Sequence, residues 1–180
     1  MNRLLLIVML AALAGVPCAV QAQGGSMSSS AMSASTVGVG PHGWDFLLGT
    51  WSCVNSTPSE MGGPANVSLT FTHSSVGSAL LVHVSGSGTD VSGYVSYVAK
   101  TKTWWNPGAA ANGDLSSEST TQTGKKTLWT GSYTSAASGK ATAIRDTYTV
   151  LSPTKYTDLG QYQSGASWKT SSNTTCTKSI

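Results

Sequence analysis

The three histidines of this sequence, His42, His73 and His83, are the side chains best suited to proton transfer or metal binding near neutral pH. A Ser-His-Asp system would have to use one of them, but the Gly-x-Ser-x-Gly turn of serine hydrolases is absent. His73 and His83 lie on segments predicted to pair as strands, yet no carboxylate or thiolate has a spacing that completes a metal site. We therefore expect structural histidines, no metal and no other cofactor.

Two carboxylates, Asp146 and Asp158, form a further candidate pair for acid and base chemistry. Both fall on predicted strands, where a carboxylate more often faces solvent than a buried site. We expect no catalytic residue, and a hydrolase or isomerase that uses a pocket histidine is the weaker alternative.

The N-terminus has the features of an export signal. Arg3 supplies a positive charge, residues 4–16 an apolar core, and Val20 and Ala22 the small residues before a cleavage site. We predict a signal peptide over residues 1–22 and an exported protein, periplasmic or secreted, with a lipoprotein anchor at Cys18 as the alternative. The apolar run is shorter than the roughly 20 residues that span a bilayer, so we expect no transmembrane segment in the mature protein.

Cys53 and Cys176 are the cysteines that remain after this cleavage, near the start and the end of the predicted domain. Export places them in oxidising surroundings, where disulfides form and persist. We predict a disulfide between them, which would join the first strand to the last.

Charged residues make up only 9% of the chain, against roughly 25% in an average protein. The net charge of +3 falls to +2 once Arg3 is removed, and Lys125-Lys126 is the densest basic pair. Nucleic-acid binding needs a basic stripe that displaces counterions from phosphates. Because no such stripe is visible, we expect no nucleic-acid partner.

Residues 23–40 contain no aromatic and no charged side chain. Such a segment buries too little apolar surface to offset the entropy of ordering, so we predict a flexible leader over residues 23–40 and one domain over residues 41–180. In residues 41–48, Pro41 precedes Trp44, Leu47 and Leu48 at helical spacing, which predicts a short N-terminal helix.

Beyond this helix the apolar period changes to two, as in Val67, Leu69 and Phe71. The predicted strands cover residues 50–54, 65–72, 79–87, 91–99, 103–105, 115–121, 128–134, 141–151, 156–163 and 167–178, with a break at Asn106-Pro107-Gly108. A meander of even spacing closes on itself to remove its edges. The predicted fold class is all-β, a closed up-and-down antiparallel β-barrel of about 8 to 10 strands with the short helix at its N-terminus.

Gly49-Thr50-Trp51, preceded by Phe46-Leu47-Leu48, resembles the opening of calycin barrels, in which a short helix leads to a Gly-x-Trp on the first strand. Residues 44–178 are similar over their whole length to bacterial exported lipocalin-like domains of unknown function allied to the nitrobindins. The shared order is Gly93-Tyr94, then Arg145 with Thr147, then Trp168 before Cys176-Thr177. Nitrobindins hold haem through a late-strand histidine, whereas no histidine follows His83 here, so the resemblance does not extend to haem.

The resemblance implies that Arg145 stacks on the Trp51 indole at the closed end of the barrel, and the alternative is an exposed Arg145 with Ile144 and Tyr148 inside. The aromatic residues are mostly Trp and Tyr, which combine apolar faces with polar tips and suit either a pocket or a core. The predicted ligand-binding residues are Trp51, His83, Tyr97, Trp105, Trp129 and Arg145.

These features favour a monomeric exported barrel that binds a small apolar or amphipathic molecule without transforming it. Residues 109–114 are expected to form a mobile lip over its mouth. The alternative is a filled barrel that serves as an envelope or interaction module. A cavity inside the barrel distinguishes the two.

Overall fold

The computed structural model describes residues 37–57, 65–75 and 77–179. The predicted signal peptide and most of the predicted leader lie outside these residues. Val37, inside the predicted leader, is 2% exposed, and it exchanges backbone hydrogen bonds of 3.0 and 2.9 Å with Gly124. Val37 therefore contacts the barrel, although it belongs to the predicted leader.

Ten strands make up the described domain. They are β1 (Gly49–Asn55), β2 (Asn66–His73), β3 (Leu80–Gly86), β4 (Thr89–Val98), β5 (Thr103–Ala110), β6 (Leu115–Thr120), β7 (Lys126–Thr134), β8 (Ala141–Ser152), β9 (Lys155–Ser164) and β10 (Ser167–Lys178). A three-residue 3-10 turn spans Asp45–Leu47, which is shorter than the helix predicted for residues 41–48. Within the described residues, no helix has the length and apolarity to cross a membrane.

Each strand pairs antiparallel with the next in the chain, and β1 pairs with β10 to close the barrel. Closure leaves no strand with an unpaired edge, which is the physical advantage of this topology. The prediction of an all-β, closed, up-and-down antiparallel barrel is confirmed, and the architecture is consistent with a calycin or lipocalin-like fold.

Side-chain alternation decides what each strand contributes to the interior. On β2, Leu69 and Phe71 face inward as predicted, and Phe71 is buried. On β8, Tyr148 and Val150 belong to the inward set, since Tyr148 contacts the buried Trp44 and Val150 is 3% exposed. Asp146 lies two residues before Tyr148, so it faces the interior as well.

Pro107 does not end β5, contrary to the predicted break at Asn106-Pro107-Gly108. The strand runs through it to Ala110, and Pro107 pairs with Ser117 of β6. On the other side, the β4 pairing goes directly from Gly93 with Gly108 to Ser96 with Trp105. Because proline has no N–H to donate, the ladder opens locally while the chain stays extended.

The disulfide between Cys53 and Cys176 is confirmed, and it joins two directly opposite residues of β1 and β10. Both cysteines are buried in the interior. The link therefore closes the barrel covalently at the same seam that the hydrogen bonds close.

Trp51 packs at the end of the barrel where the 3-10 turn lies, and it is fully buried. Its Nε1 donates to Leu47 O at 2.6 Å, and its ring centroid lies 4.9 Å from that of Tyr156. The cation over this indole is Lys178, whose Nζ lies 5.4 Å from the ring centroid and donates to Phe46 O at 3.2 Å.

The predicted stacking of Arg145 on Trp51 is therefore wrong. Arg145 alternates with Asp146 and lies on the outer face, where its Cζ is 4.3 Å from the Trp168 ring centroid. Its Nε donates to Gln161 Oε1 at 2.8 Å. The guanidinium remains near water on the outside, where its desolvation cost is small.

Candidate functional site

The barrel encloses a cavity of about 130 Å³. One wall is apolar and is built from strands β2, β3 and β4. The opposite wall carries aromatic and polar groups from β5 to β8, and Trp44 and Leu47 close the end. The two walls are lined by Leu69, Phe71, Val82, Val84, Val91 and Val95 on the apolar side, and by Asn106, Ser116, Trp129 and Tyr148 on the other.

An aromatic cluster forms the floor of this cavity. Trp44 is at its centre. The centroid of the Trp44 ring lies 5.3 Å from that of Trp129 and 5.6 Å from that of Tyr148. The Trp129 and Tyr148 centroids are 6.4 Å apart. These are the tilted and edge-to-face separations at which aromatic rings attract one another, so the floor is a packed surface.

Three carboxyl groups, those of Glu118, Asp146 and Asp158, lie on the interior face beside the cavity. Each belongs to a residue directly opposite a cavity-lining residue on the neighbouring strand. The pairs are Glu118 with Asn106, Asp146 with Trp129, and Asp158 with Tyr148. Directly opposite residues have Cβ atoms about 5 Å apart, so the acidic cluster adjoins the polar wall of the cavity at three points.

Two glycines leave room for this acidic cluster. Gly131 lies opposite Glu118, and a Cβ at Gly131 would be 2.7 Å from the Glu118 Cα atom. Gly160 lies opposite Asp146, and a Cβ there would be 2.9 Å from Asp146 Oδ1. Because Gly131 has no side chain, Glu118 on β6 reaches across β7 to the carboxyl group of Asp146 on β8.

Burial and mutual repulsion keep the acidic cluster largely protonated. Loss of solvation, followed by the charge of Asp146, raises the pKa of Glu118 to about 10. Burial raises the pKa of Asp146 to about 6, and a hydrogen bond from the Glu118 carboxyl limits that rise. Burial and then Asp146 raise the pKa of Asp158 well above its ordinary value. Burial therefore favours the protonated form of all three carboxyl groups relative to their ordinary behaviour in water.

Several buried polar atoms of the barrel interior have no hydrogen-bond partner among the residues that the structure describes. Glu118 is 5% exposed, and its Oε1 is unpartnered, as is Oδ1 of Asp158. The indole Nε1 groups of Trp44 and Trp129 are unpartnered donors. A buried polar group without a partner costs about 1 to 3 kcal/mol, so this part of the barrel interior keeps unused hydrogen-bonding capacity.

Of the predicted ligand-binding residues, Trp129 lines the cavity. Trp51 is buried deeper against Tyr156, and Tyr97 packs on Trp104 with ring centroids 4.8 Å apart. Both face the interior without lining the cavity.

His83, Trp105 and Arg145 lie on the outer face. His83 Nδ1 is 3.7 Å from Asp90 Oδ1 at the surface, and Trp105 is 40% exposed with its Nε1 donating to Ser117 Oγ at 2.8 Å. The physical reason is alternation, since their neighbours Val82, Trp104 and Asp146 occupy the inward positions.

Sequence reasoning considered Asp146 and Asp158 but missed Glu118. The sequence did indicate that Asp146 faces inward. It lies on the same face of its strand as the apolar side chains of Ile144, Tyr148 and Val150. Glu118 lies on the polar strand β6, where both faces carry Ser and Thr and alternation gives no direction.

Residues 111–114 form the connection between β5 and β6, and hydrogen bonds to Asp114 hold it in place. Asp114 Oδ1 accepts a hydrogen bond of 2.7 Å from the Ala136 backbone N–H, and Oδ2 accepts bonds from the Tyr133 hydroxyl and from Asn112 Nδ2. These bonds, led by that from Tyr133, lower the pKa of Asp114. The connection expected to be a mobile lip is thus tied to the turn between β7 and β8.

A larger groove of about 620 Å³ runs along the outside of β4 to β7. It is lined by outward-facing residues such as Tyr94, Leu115 and Ser117. None of the three interior carboxyl groups lines either space, and we place the candidate site in the smaller cavity because the barrel encloses it.

No family model matches the chain, and no curated protein matches it.

Proposed function

We propose that this protein is an exported lipocalin-like barrel that binds a small amphipathic molecule in its interior cavity without transforming it. The observation that carries the proposal is the cavity itself, which has an apolar wall on β2 to β4 and a polar, aromatic wall opposite. Sites for small molecules are mostly apolar with a few placed polar groups, which is this pattern.

The size of the cavity restricts the ligand. A cavity of about 130 Å³ is close to the roughly 150 Å³ that admits benzene in an engineered protein core. A ligand built on a single ring fits, whereas a long acyl chain does not. No histidine lines the cavity, so the proposal includes no histidine-based catalysis.

Two further parts of the proposal are that the protein is exported and that it is related to a known group of barrels. The disulfide supports export, since disulfides persist in oxidising compartments and are rare in the cytosol. Kinship with exported lipocalin-like domains allied to the nitrobindins is supported by the Gly49-Thr50-Trp51 opening, which begins β1 here and carries the buried Trp51.

The test is saturable binding of a neutral single-ring compound, benzyl alcohol, followed by tryptophan fluorescence and calorimetry. We expect a dissociation constant in the micromolar to millimolar range, about 4 to 8 kcal/mol. Trp129→Phe should reduce the fluorescence change because Trp129 lines the cavity together with Trp44, whereas Trp105→Phe should not because Trp105 faces outward.

A cavity-filling variant gives the matched control. Val84→Phe places a larger side chain in the cavity wall and should abolish binding, while Val54→Phe makes the same change at an exposed position and should leave it intact. Absence of saturable binding to the folded wild type, across single-ring alcohols, amines and acids, would reject the binding function in favour of a filled-barrel module.

A further inference from the structure

A groove of about 360 Å³ lies on the outer face of the barrel, across β7, β8 and β9. The register places Thr147 directly opposite Leu128, and Arg145 directly opposite Gln161. The connection between β6 and β7 borders the same groove. The lining side chains are those of Gln122, Lys126, Leu128, Arg145, Thr147 and Gln161.

From this geometry we infer that the groove binds a phosphate group, held by Lys126, Arg145 and the side-chain amides of Gln122 and Gln161. The phosphate belongs either to a small soluble compound or to the headgroup of a phospholipid, since both present the same oxygens. The groove is outside the barrel, so the inference is independent of the binding function proposed for the interior cavity.

Two hydrogen bonds fix the direction in which the glutamine amides point. The Leu128 backbone N–H donates to Gln122 Oε1 at 2.8 Å, and Arg145 Nε donates to Gln161 Oε1 at 2.8 Å. Because both partners can only donate, each amide must present its oxygen to them. The amide nitrogen of each glutamine, which is a donor, is therefore the group left for a ligand.

Arg145 is already held in one position by its neighbours. Its Cζ lies 4.3 Å from the Trp168 ring centroid, and its Nε–H is bonded to Gln161. The N–H groups on its Nη atoms remain, and such a planar fork matches the oxygens of a phosphate. A side chain that is ordered in advance loses less entropy when a ligand binds.

The positive charge of the groove is not balanced by an acidic side chain among its lining residues. Lys126 and Arg145 are the two charged residues of that lining. Acidic residues of the described chain lie elsewhere, either on the interior face or at the surface beside another partner. They are Glu118, Asp146 and Asp158 inside, and Asp45 with His42, Asp90 with His83 and Asp114 with Tyr133. An anion in the groove therefore meets attraction without a competing carboxylate.

A phosphate group suits the groove better than a carboxylate does. The donors come from three strands and one connection, so they approach a ligand from several sides. A phosphate group carries acceptor oxygens in several directions and a charge of about −1.5 to −2 at pH 7. A carboxylate is planar and carries a single charge, so it would leave part of this donor set unused.

The experiment titrates inorganic phosphate into the nitrogen-15-labelled mature chain at pH 7 and constant ionic strength. Arg145 is the only arginine after the predicted signal peptide, so its Nε–H gives a unique signal in the NMR spectrum. We expect this signal to shift saturably, with a dissociation constant of about 1 to 10 mM. Acetate should bind at least about fivefold more weakly, because its charge is smaller.

Two variants test the site while keeping Arg145 as the reporter. Gln161→Glu still accepts from Arg145 Nε but places a carboxylate in the groove, and it should weaken phosphate binding at least about tenfold. Lys126→Gln removes one cation and should weaken binding at least about threefold. The matched control Lys100→Gln lowers the net charge by the same amount in the turn between β4 and β5, and it should change the affinity less than about twofold.

The absence of a saturable phosphate shift in the folded wild type would overturn the inference. An equal affinity for acetate would overturn the assignment to phosphate. An equal loss of affinity in Lys100→Gln and Lys126→Gln would show general attraction to a cationic protein, and it would overturn the site as well.

Sedimentation with phosphatidylglycerol vesicles distinguishes the two sources of the phosphate group. Co-sedimentation that Gln161→Glu removes and Lys100→Gln keeps would support a lipid headgroup. A phosphate shift without co-sedimentation would support a soluble phosphate compound. Binding of benzyl alcohol to the interior cavity is a separate measurement, so failure of one proposal leaves the other standing.

Discussion

Gly160 lies directly opposite Asp146 across the pairing of β8 with β9, and a Cβ at Gly160 would be 2.9 Å from the Asp146 Oδ1 atom. The same Cβ would also be 2.9 Å from Ser171 Oγ on β10. The missing side chain is therefore what allows an aspartate carboxyl to occupy the interior beside the cavity.

Gly160→Ala should lower the free energy of unfolding by about 1 to 3 kcal/mol, because a methyl group forced into a packed interior displaces its neighbours. Chemical denaturation measures this. Gly108→Ala is the matched control, since a Cβ there would meet only the Ser116 hydroxyl at 3.0 Å and ordinary contacts beyond it. The Cβ at Gly160 would lie closest to Ser172 Oγ, so a loss at Gly108 equal to that at Gly160 would contradict the crowding assigned to Asp146 and the two serines.

The barrel should become less stable as the pH rises from 5 to 8. The ordinary pKa of Glu118 is 4.5 and its pKa in the folded protein is about 10, so within this interval the folded state holds a proton that the unfolded state has released. The pKa of Asp158 is also raised, so this group likewise makes the barrel less stable as the pH rises. Each group lowers stability by at most about 1.4 kcal/mol per pH unit.

Glu118→Gln should make the stability of the barrel less dependent on pH, because glutamine does not titrate and keeps the shape of the carboxyl group. The variant should be more stable than the wild type at pH 8 and similar to it at pH 5. Urea denaturation at both pH values checks this. Identical pH profiles for the two proteins would show that Glu118 is ionised in the folded barrel.

Removal of the disulfide should lower stability by about 2 to 5 kcal/mol, since the bond joins residues 123 apart in sequence and restricts the unfolded chain. Replacing Cys53 and Cys176 together by alanine, with unfolding measured by urea, tests the magnitude. Thiol titration of the denatured, unreduced chain from Gln23 onward should detect no free thiol. Two free thiols would contradict the bond.

Arg145 and Trp168 should couple by about 0.5 to 1 kcal/mol in a double-mutant cycle with alanine, as expected for an exposed cation over an indole. The cycle between Arg145 and Trp51 is the control and should give a coupling near zero, because Trp51 is inside and Lys178 is its cation. The reverse result would restore the stacking that the calycin resemblance implied.

Asp114→Ala should release the connection between β5 and β6, because the variant loses the acceptors for Tyr133, Asn112 and the Ala136 N–H. Hydrogen exchange at the Ala136 amide should accelerate. Asp90→Ala, a change at an exposed aspartate near the start of β4, should leave that amide unchanged. Unaltered protection of Ala136 in Asp114→Ala would mean that other contacts hold this end of the barrel.

Local features of the sequence determined the number of strands, the closed meander and the disulfide. Alternation in segments such as Val67, Leu69 and Phe71 and turn residues between segments act over a few neighbours, so they are readable without a structure. The same rules wrongly predicted a strand break at Asn106-Pro107-Gly108. A strand tolerates a proline where its ladder of backbone hydrogen bonds opens.

Only the tertiary structure decided where the chemistry lies. Glu118, Asp146 and Asp158 belong to three different strands, and they meet because Gly131 and Gly160 leave space and the register aligns β6, β8 and β9. Arg145 and Asp146 are neighbours in sequence, yet Arg145 lies on the outer face of the barrel and Asp146 on the inner face. A shift of one residue in register would exchange them, and register is set by packing across the whole barrel, which no short segment of sequence encodes.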